Sequence, residues 1–256
     1  MSDDKDTSAV EQKVLVSEFW QEKYRKEAGK SWNLFYKRNS TNFFKDRHWV
    51  TREFPETLQV SSLLEIGCGV GNFILPLLED RKEARGNAWE DDRLYACDVA
   101  PTAIELLRAD PRYQEPQLTA FVNNICQEDV ALDVTVDCVA LIFVLSAIPP
   151  ESHDVVFTRI RKMLKPGGLL LFRDYAEDDA AQRRFKPDRY LGGKLWVRQD
   201  GTFAYYFAIE ELIALAARHG LLPVDIQLKE RETVNEKKGI ALERKFIQAK
   251  FQLSPI

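Results

Sequence analysis

The chain of 256 residues has no long apolar run and no signal-peptide pattern, so neither a membrane span nor a secretory leader is expected. Its four cysteines (Cys68, Cys97, Cys126 and Cys138) are scattered, with no C-x-x-C and no Cys/His pairing. That excludes a disulfide framework and a zinc site, and leaves reduced core thiols in a protein of the cytoplasm or nucleus. No metal is expected. There is no internal repeat. There is no surplus of positive charge either: the net charge is -4, so any surface that attracts phosphates must be local. What the chain does have is an ordinary apolar share of 45%, enough for one large domain, or one domain with appendages.

Three blocks emerge. After an acidic start, residues 1–9 read as a disordered tail. Residues 10–60 are polar, aromatic and basic, and read as a helical extension. From residue 61 to the end the pattern is that of a single domain, with an insertion-like basic and aromatic stretch at 176–207. Within it, short apolar runs alternate with helical patterns, which predicts βαβ units and a parallel sheet. Strands are expected at 63–67, 94–98, 118–123, 136–145, 169–174, 223–229 and 240–251. Helices are expected from Pro101 to 109, over 152–164 and over 209–219, the second stopped by Lys165-Pro166-Gly167-Gly168. The charged run at 81–93 reads as a solvated loop insertion.

The chemistry concentrates where the first strand meets Gly67-Cys68-Gly69-Val70-Gly71-Asn72. A strand running into a glycine-rich turn and then a helix lets a nucleotide-like cofactor press against bare backbone. The spacing is one residue tighter than the dinucleotide fingerprint, which argues against a dehydrogenase. A second strand ends in Asp98, whose carboxylate suits two ribose hydroxyls and equally suits the start of the Pro101 helix. This pairing resembles the S-adenosyl-L-methionine (SAM) site of class I methyltransferases, and so does the helix-Lys-Pro-Gly-Gly-strand pattern. Asn124, after the third strand, suits an adenine amino edge or a plain turn. Ile125 and Ile142 suit the adenine face and the methionine side, or ordinary core.

In the extension, Trp32 and Tyr36 stand four apart, hence on one helix face, and such rings suit a sulfonium cation. Lys37, Arg38, Lys45, Arg47 and His48, interleaved with aromatics, suit phosphates and unpaired bases. The same pattern also describes an amphipathic helix resting on the sheet.

The run from Trp32 to Trp49 closely resembles the tRNA N3-methylcytidine methyltransferases. So do Leu141 to Ala147, Phe172-Arg173-Asp174-Tyr175, Arg184-Phe185-Lys186, Val197-Arg198-Gln199-Asp200-Gly201-Thr202 and Arg231-Glu232-Thr233-Val234-Asn235. The similarity covers nearly the whole chain and is greatest to the branch acting on serine tRNAs. It implies a Rossmann-like α/β fold, a seven-stranded mostly parallel sheet with helices on both faces and the extension closing over SAM. It implies that Trp32, Tyr36, Gly67, Gly69, Asp98, Asn124, Ile125 and Ile142 hold SAM, although close relatives usually carry aspartate where Asn124 stands. It implies methylation of N3 of cytidine at position 32 of the anticodon loop, with seryl-tRNA synthetase as an associated partner.

N3 of neutral cytosine already has a lone pair, so alignment does most of the catalysis. The product is cationic, and Asp174 and Asp200 are candidates for orienting the exocyclic amine or balancing that charge. Arg173 and Arg198 pair with them or with phosphate, alongside Arg184 and Lys186. A small-molecule methyltransferase on the same scaffold and a SAM-binding partner subunit without activity are the alternatives.

Overall fold

Five apolar strands lie side by side in parallel and set the frame of the molecule. The computed structural model describes residues 13–235 and 240–255; the expected tail at 1–9 lies outside them. The parallel strands are β1 (Ser62–Ile66), β2 (Arg93–Asp98), β3 (Leu118–Val122), β4 (Val136–Ile142) and β5 (Leu164–Tyr175). Three antiparallel strands follow, β6 (Tyr190–Gly192), β7 (Leu195–Val197) and β8 (Phe203–Tyr205), and then the long pair β9 (Leu221–Asn235) and β10 (Ile240–Leu253). The seven-stranded sheet runs β3-β2-β1-β4-β5-β10-β9, and β6, β7 and β8 form their own small sheet. β10 enters antiparallel to β5 and to β9, so the sheet is parallel except at that edge.

The helices are α1 (Glu18–Lys26), α2 (Ala28–Asn39), α3 (Val50–Glu53), α4 (Ile74–Arg85), α5 (Pro101–Arg108), α6 (His153–Met163), α7 (Ala180–Arg183) and α8 (Ile209–Arg218). They cover both faces. Val156, Phe157 and Ile160 of α6 join Leu212 and Leu215 of α8 in one core. Ile74, Leu75, Leu77 and Leu78 of α4 join Ile104, Leu107 and Phe54 in the other. Two-sided coverage explains why β4 is apolar on both faces.

Three expectations change. The fourth strand ends at Ile142 because Phe143 has φ +61, which turns the chain toward the cavity described below. The fifth begins at Leu164: Val136 pairs with Leu164 and Cys138 with Leu169, so Lys165-Pro166-Gly167-Gly168 bulges out within the strand instead of preceding it.

The run at 81–93 is not a solvated loop. α4 continues to Arg85, and Trp89 is buried in the second core. Arg81 is wholly buried, donates from Nε to Thr57 O at 2.7 Å and pairs with Asp92 at 3.0 Å.

Candidate active site

The C-terminal ends of the parallel strands open into one cavity of about 1070 Å³. This is where open α/β sheets bind ligands, at the point where strand order reverses, here between β1 and β4. Ile66, Asp98, Asn123, Ile142 and Tyr175, from five strand ends, line it.

The glycine-rich turn forms its floor. Gly67 and Cys68 donate their amides to Cys97 O at 2.7 and 3.0 Å, which ties the turn to the end of β2. A Cβ on Gly71 would sit 2.5 Å from Leu107 Cδ1, at φ +90, so this glycine lets α4 start close against α5. A side chain at Gly69 would strike the Tyr36 hydroxyl: the extension lies directly on the turn. Asp98 spans both turns, accepting from Gly69 N and Ala100 N at 2.8 Å each. It thus caps both turns, and each oxygen keeps a lone pair for a further donor. Burial pushes its pKa up to about 6, against the pull of those amides.

α2 forms the roof. Trp32 and Tyr36 line the cavity with ring centroids 6.1 Å apart, on one face of α2 as expected. Asn33 Oδ1 accepts from Thr102 N at 3.0 Å, so the extension caps α5 and is bound to the domain it covers.

After β3, Asn124 and Ile125 also line the cavity. Asn124 Oδ1 is already occupied, accepting from Cys126 N at 3.1 Å in a local turn. The neighbouring Asn123 is buried, donates from Nδ2 to Asp129 O at 3.1 Å, and its Oδ1 has no hydrogen-bond partner among the described residues. The orphan acceptor thus belongs to Asn123 and not to the expected Asn124, a distinction that two adjacent asparagines do not reveal in sequence.

Glu65 was also missed. It stands in β1 among apolar residues, lines the cavity, and its Oε2 has no partner among the described residues. Burial lifts its pKa to about 8 despite the nearby Arg47 guanidinium. A buried, unmatched carboxyl facing a cavity suits a cationic ligand.

The far lobe is cationic and aromatic. Lys45, Arg47, Arg184, Arg198 and Asp200 line it, and Arg244 and Phe246 from β10 join them. Arg198 lies 5.8 Å and Arg244 5.5 Å from the Tyr175 ring centroid, and Arg47 lies 4.8 Å from that of Phe143. Burial lowers the pKa of Arg47. Asp200 Oδ1 accepts from Thr202 N and Oγ1 at 3.0 and 2.7 Å.

Other expected residues stand elsewhere. Asp174 is wholly buried beneath the wall, accepting from Ser146 N at 2.8 Å and Tyr175 N at 2.9 Å, with its pKa lifted to about 6 by burial. It does not line the cavity. Arg173 is half-buried and absent from the cavity lining, 4.3 Å from the Trp49 ring centroid and donating from Nη1 to Gln248 Oε1 at 3.0 Å. Lys37, Arg38, His48 and Lys186 are exposed and lie outside the cavity lining. Among the described residues no group of His, Cys, Asp or Glu is arranged to hold a metal, and no helix is long and apolar enough to cross a membrane.

A family model described as "Methyltransferase domain" matches residues 36–225. The fold is that of SAM-dependent methyltransferases. The solved 1,6-didemethyltoxoflavin-N1-methyltransferase of Burkholderia thailandensis, with S-adenosylhomocysteine, superposes with a TM-score of 0.60 over 94% of each chain at 14% identity. The tRNA N(3)-cytidine methyltransferase METTL6 of Rattus norvegicus is 45% identical over 94% of this chain and 85% of its own. The tRNA N(3)-methylcytidine methyltransferase trm141 of Schizosaccharomyces pombe is 39% identical over 91% of this chain and 95% of its own. A glycine turn roofed by two aromatic rings, an acid at the end of β2 and a second, cation-rich lobe on the same cavity thus occur in a chain of matching sequence: it belongs to the tRNA N(3)-cytidine methyltransferase family.

Proposed function

We propose that this protein transfers a methyl group from SAM to N3 of cytidine in tRNA, at anticodon-loop position 32 of serine tRNA. The observation that carries the reading is the single cavity with two unlike lobes. One has bare backbone, aromatic rings and two buried carboxyls. The other has five cationic side chains, Lys45, Arg47, Arg184, Arg198 and Arg244, beside Tyr175 and Phe246.

When bound, SAM supplies an electrophilic methyl group on a sulfonium cation. Asp98 receives the ribose hydroxyls. Asn123 and Asn124 meet the adenine edge, with Ile125 against its face. Trp32 and Tyr36 face the sulfonium, a contact worth about 0.5–2 kcal/mol per ring. Glu65 balances the amino-acid ammonium, and Ile142 packs against the same part of the ligand. The orphan oxygens of Glu65 and Asn123 fit a donor-bearing cation of this kind.

On the other lobe, an unpaired base stacks among Phe143, Tyr175 and Phe246. Its N3 needs no deprotonation, so these residues act by orientation. Asp200 is the candidate for the exocyclic amine. Asp174 acts from beneath, holding the Ser146–Tyr175 wall and contributing a buried acid as positive charge develops on the base. Arg47, Arg184 and Arg198 take flanking phosphates, and the exposed Lys37, Arg38, His48 and Lys186, with the half-buried Arg173, extend that path outward. Seryl-tRNA synthetase is the proposed partner, and cytoplasm and nucleus the proposed locations. In this reading residues 10–60 act as cofactor roof and RNA contact, and 176–207 as an insertion completing the base lobe.

The test incubates the protein with labelled SAM and individual tRNAs, with and without seryl-tRNA synthetase, and digests the RNA to nucleosides. Label confined to 3-methylcytidine in serine tRNA is expected. Label in another nucleoside, or methylation of small metabolites alone, overturns the reading.

A further inference from the structure

Two parts of the active site meet at Asn72, the residue immediately after the third glycine of the turn. Its carbonyl oxygen accepts from Arg47 N at 2.7 Å. Its Nδ2 donates to Asp46 Oδ1 at 3.0 Å and lies 3.4 Å from Phe44 O. Asp46 Oδ2 accepts from Arg112 Nη1 at 2.6 Å. Arg112, in the loop after α5, is held in turn by Asp110 through Nε and Nη2, both at 2.9 Å. The strap at residues 43–49 is thereby tied to the glycine turn by one residue and to the α5 loop by another. Asp46 makes both side-chain ties; Arg47, the next residue, lines the cavity together with Asn72, while Asp46 and Arg112 stay outside it.

This arrangement fixes a register. Arg47 follows Asp46 directly, so its guanidinium depends on where the Asn72–Asp46 bond holds the strap. Asn72 follows Gly71, so its position depends on the turn. A ligand that favours one arrangement of the turn favours one arrangement of Arg47, and the reverse holds by linkage.

We propose that Asn72, Asp46 and Arg112 form a positioning clamp that couples occupancy of the cofactor turn to RNA binding by the strap. The proposal rests on the reading of tRNA as substrate. None of the three needs to touch a reacting atom. Their effect appears as a ratio of affinities rather than as either affinity alone.

The experiment measures S-adenosylhomocysteine binding to the full chain by calorimetry, without and with saturating unfractionated tRNA. The reverse pair measures tRNA binding without and with S-adenosylhomocysteine. We expect each ligand to tighten the other by the same factor, at least about fivefold. In Asp46→Asn the factor should fall below about twofold while each ligand still binds alone; in Asn72→Ala, whose side chain also lines the cavity, the factor should fall as far alongside a loss of cofactor affinity. Arg112→Lys, which keeps the charge, should retain more than about threefold. Asp46→Asn is isosteric and outside the cavity, so it carries the test where Asn72→Ala loses the fold. A parent factor below about twofold, or variants that keep the full factor, overturns the clamp. A parent chain that binds S-adenosylhomocysteine but no tRNA brings down the substrate reading instead.

Discussion

Glu65 concentrates the electrostatics of the site in one residue. Its carboxyl is buried, one oxygen is unmatched among the described residues, and its pKa stands near 8 where an exposed glutamate has 4.5. Two consequences have opposite signs. In the free protein the raised value favours the protonated form. Its contribution to stability is therefore complete below the unfolded value and lost as pH rises through about 8. A cationic ligand favours the charged form, so binding at pH 7 should expel a proton from Glu65. Calorimetry of SAM binding in two buffers of different ionisation enthalpy should show a fraction of a proton released at pH 7, and none for Glu65→Gln. The same variant should also flatten the fall in melting temperature between pH 6 and 8. Equal proton release by both proteins would remove Glu65 from the ligand's contacts. Little of this was legible in sequence. Asp98 could be read because a strand ending in an acid before a helix is a pattern. Glu65 sits inside an apolar strand, and only the fold reveals that its side chain faces a cavity.

At the scale of elements, the stretch between α4 and β2 shows how a charged run becomes core. Arg81 and Asp92 are separated by a 3-10 turn that brings them to 3.0 Å, with side chains 0% and 2% exposed. Burial lowers the Arg81 pKa, and Asp92 partly restores it. Removing one partner leaves an uncompensated buried charge. Asp92→Ala should therefore cost about 3–5 kcal/mol in denaturant unfolding. Arg81→Met with Asp92→Leu should cost less, because the one charge that loses its partner is then Arg85, which pairs with Asp92 at 3.2 Å and keeps partial access to solvent. A single variant as stable as the parent would contradict this account. Sequence pattern suggests a solvated loop because eight of its thirteen residues are charged, and burial of an ion pair depends on Thr57 O and Trp89 being nearby. By contrast, the strand frame was readable almost throughout, since continuous apolar runs have few other uses. The exceptions were local. Phe143 takes a left-handed conformation, and a proline-glycine bulge lies inside β5, both set by pairing partners far away in the chain. The small sheet of β6, β7 and β8 was read only as a basic insertion, because its strands are three residues each.

Across the whole molecule, acidic groups lie beneath the cofactor lobe and basic ones around the outer lobe, so a chain of net charge -4 presents a cationic mouth. Lys45 and Arg184 are exposed at that mouth, and Lys37, Arg38, His48 and Lys186 extend it. Asp200 also lines the cavity and Asp179 pairs with Arg244 at 3.0 Å, so the cationic character rests chiefly on the other basic side chains, while charges more than about 10 Å away are largely screened at ordinary ionic strength. Binding of a single-stranded anticodon loop should then weaken with salt in proportion to the phosphates engaged. For single strands the slope of log K against log salt is about -0.7 per phosphate. Lys45→Gln and Lys186→Gln should each make that slope shallower by about 0.7 and lower tRNA affinity at low salt, with S-adenosylhomocysteine affinity unchanged. The double variant should lose about 1.4 where each lysine engages its own phosphate. Filter binding of serine tRNA across a salt series reads all three slopes. Unchanged slopes would mean that these lysines are merely solvated and that the RNA path leaves the cavity in another direction.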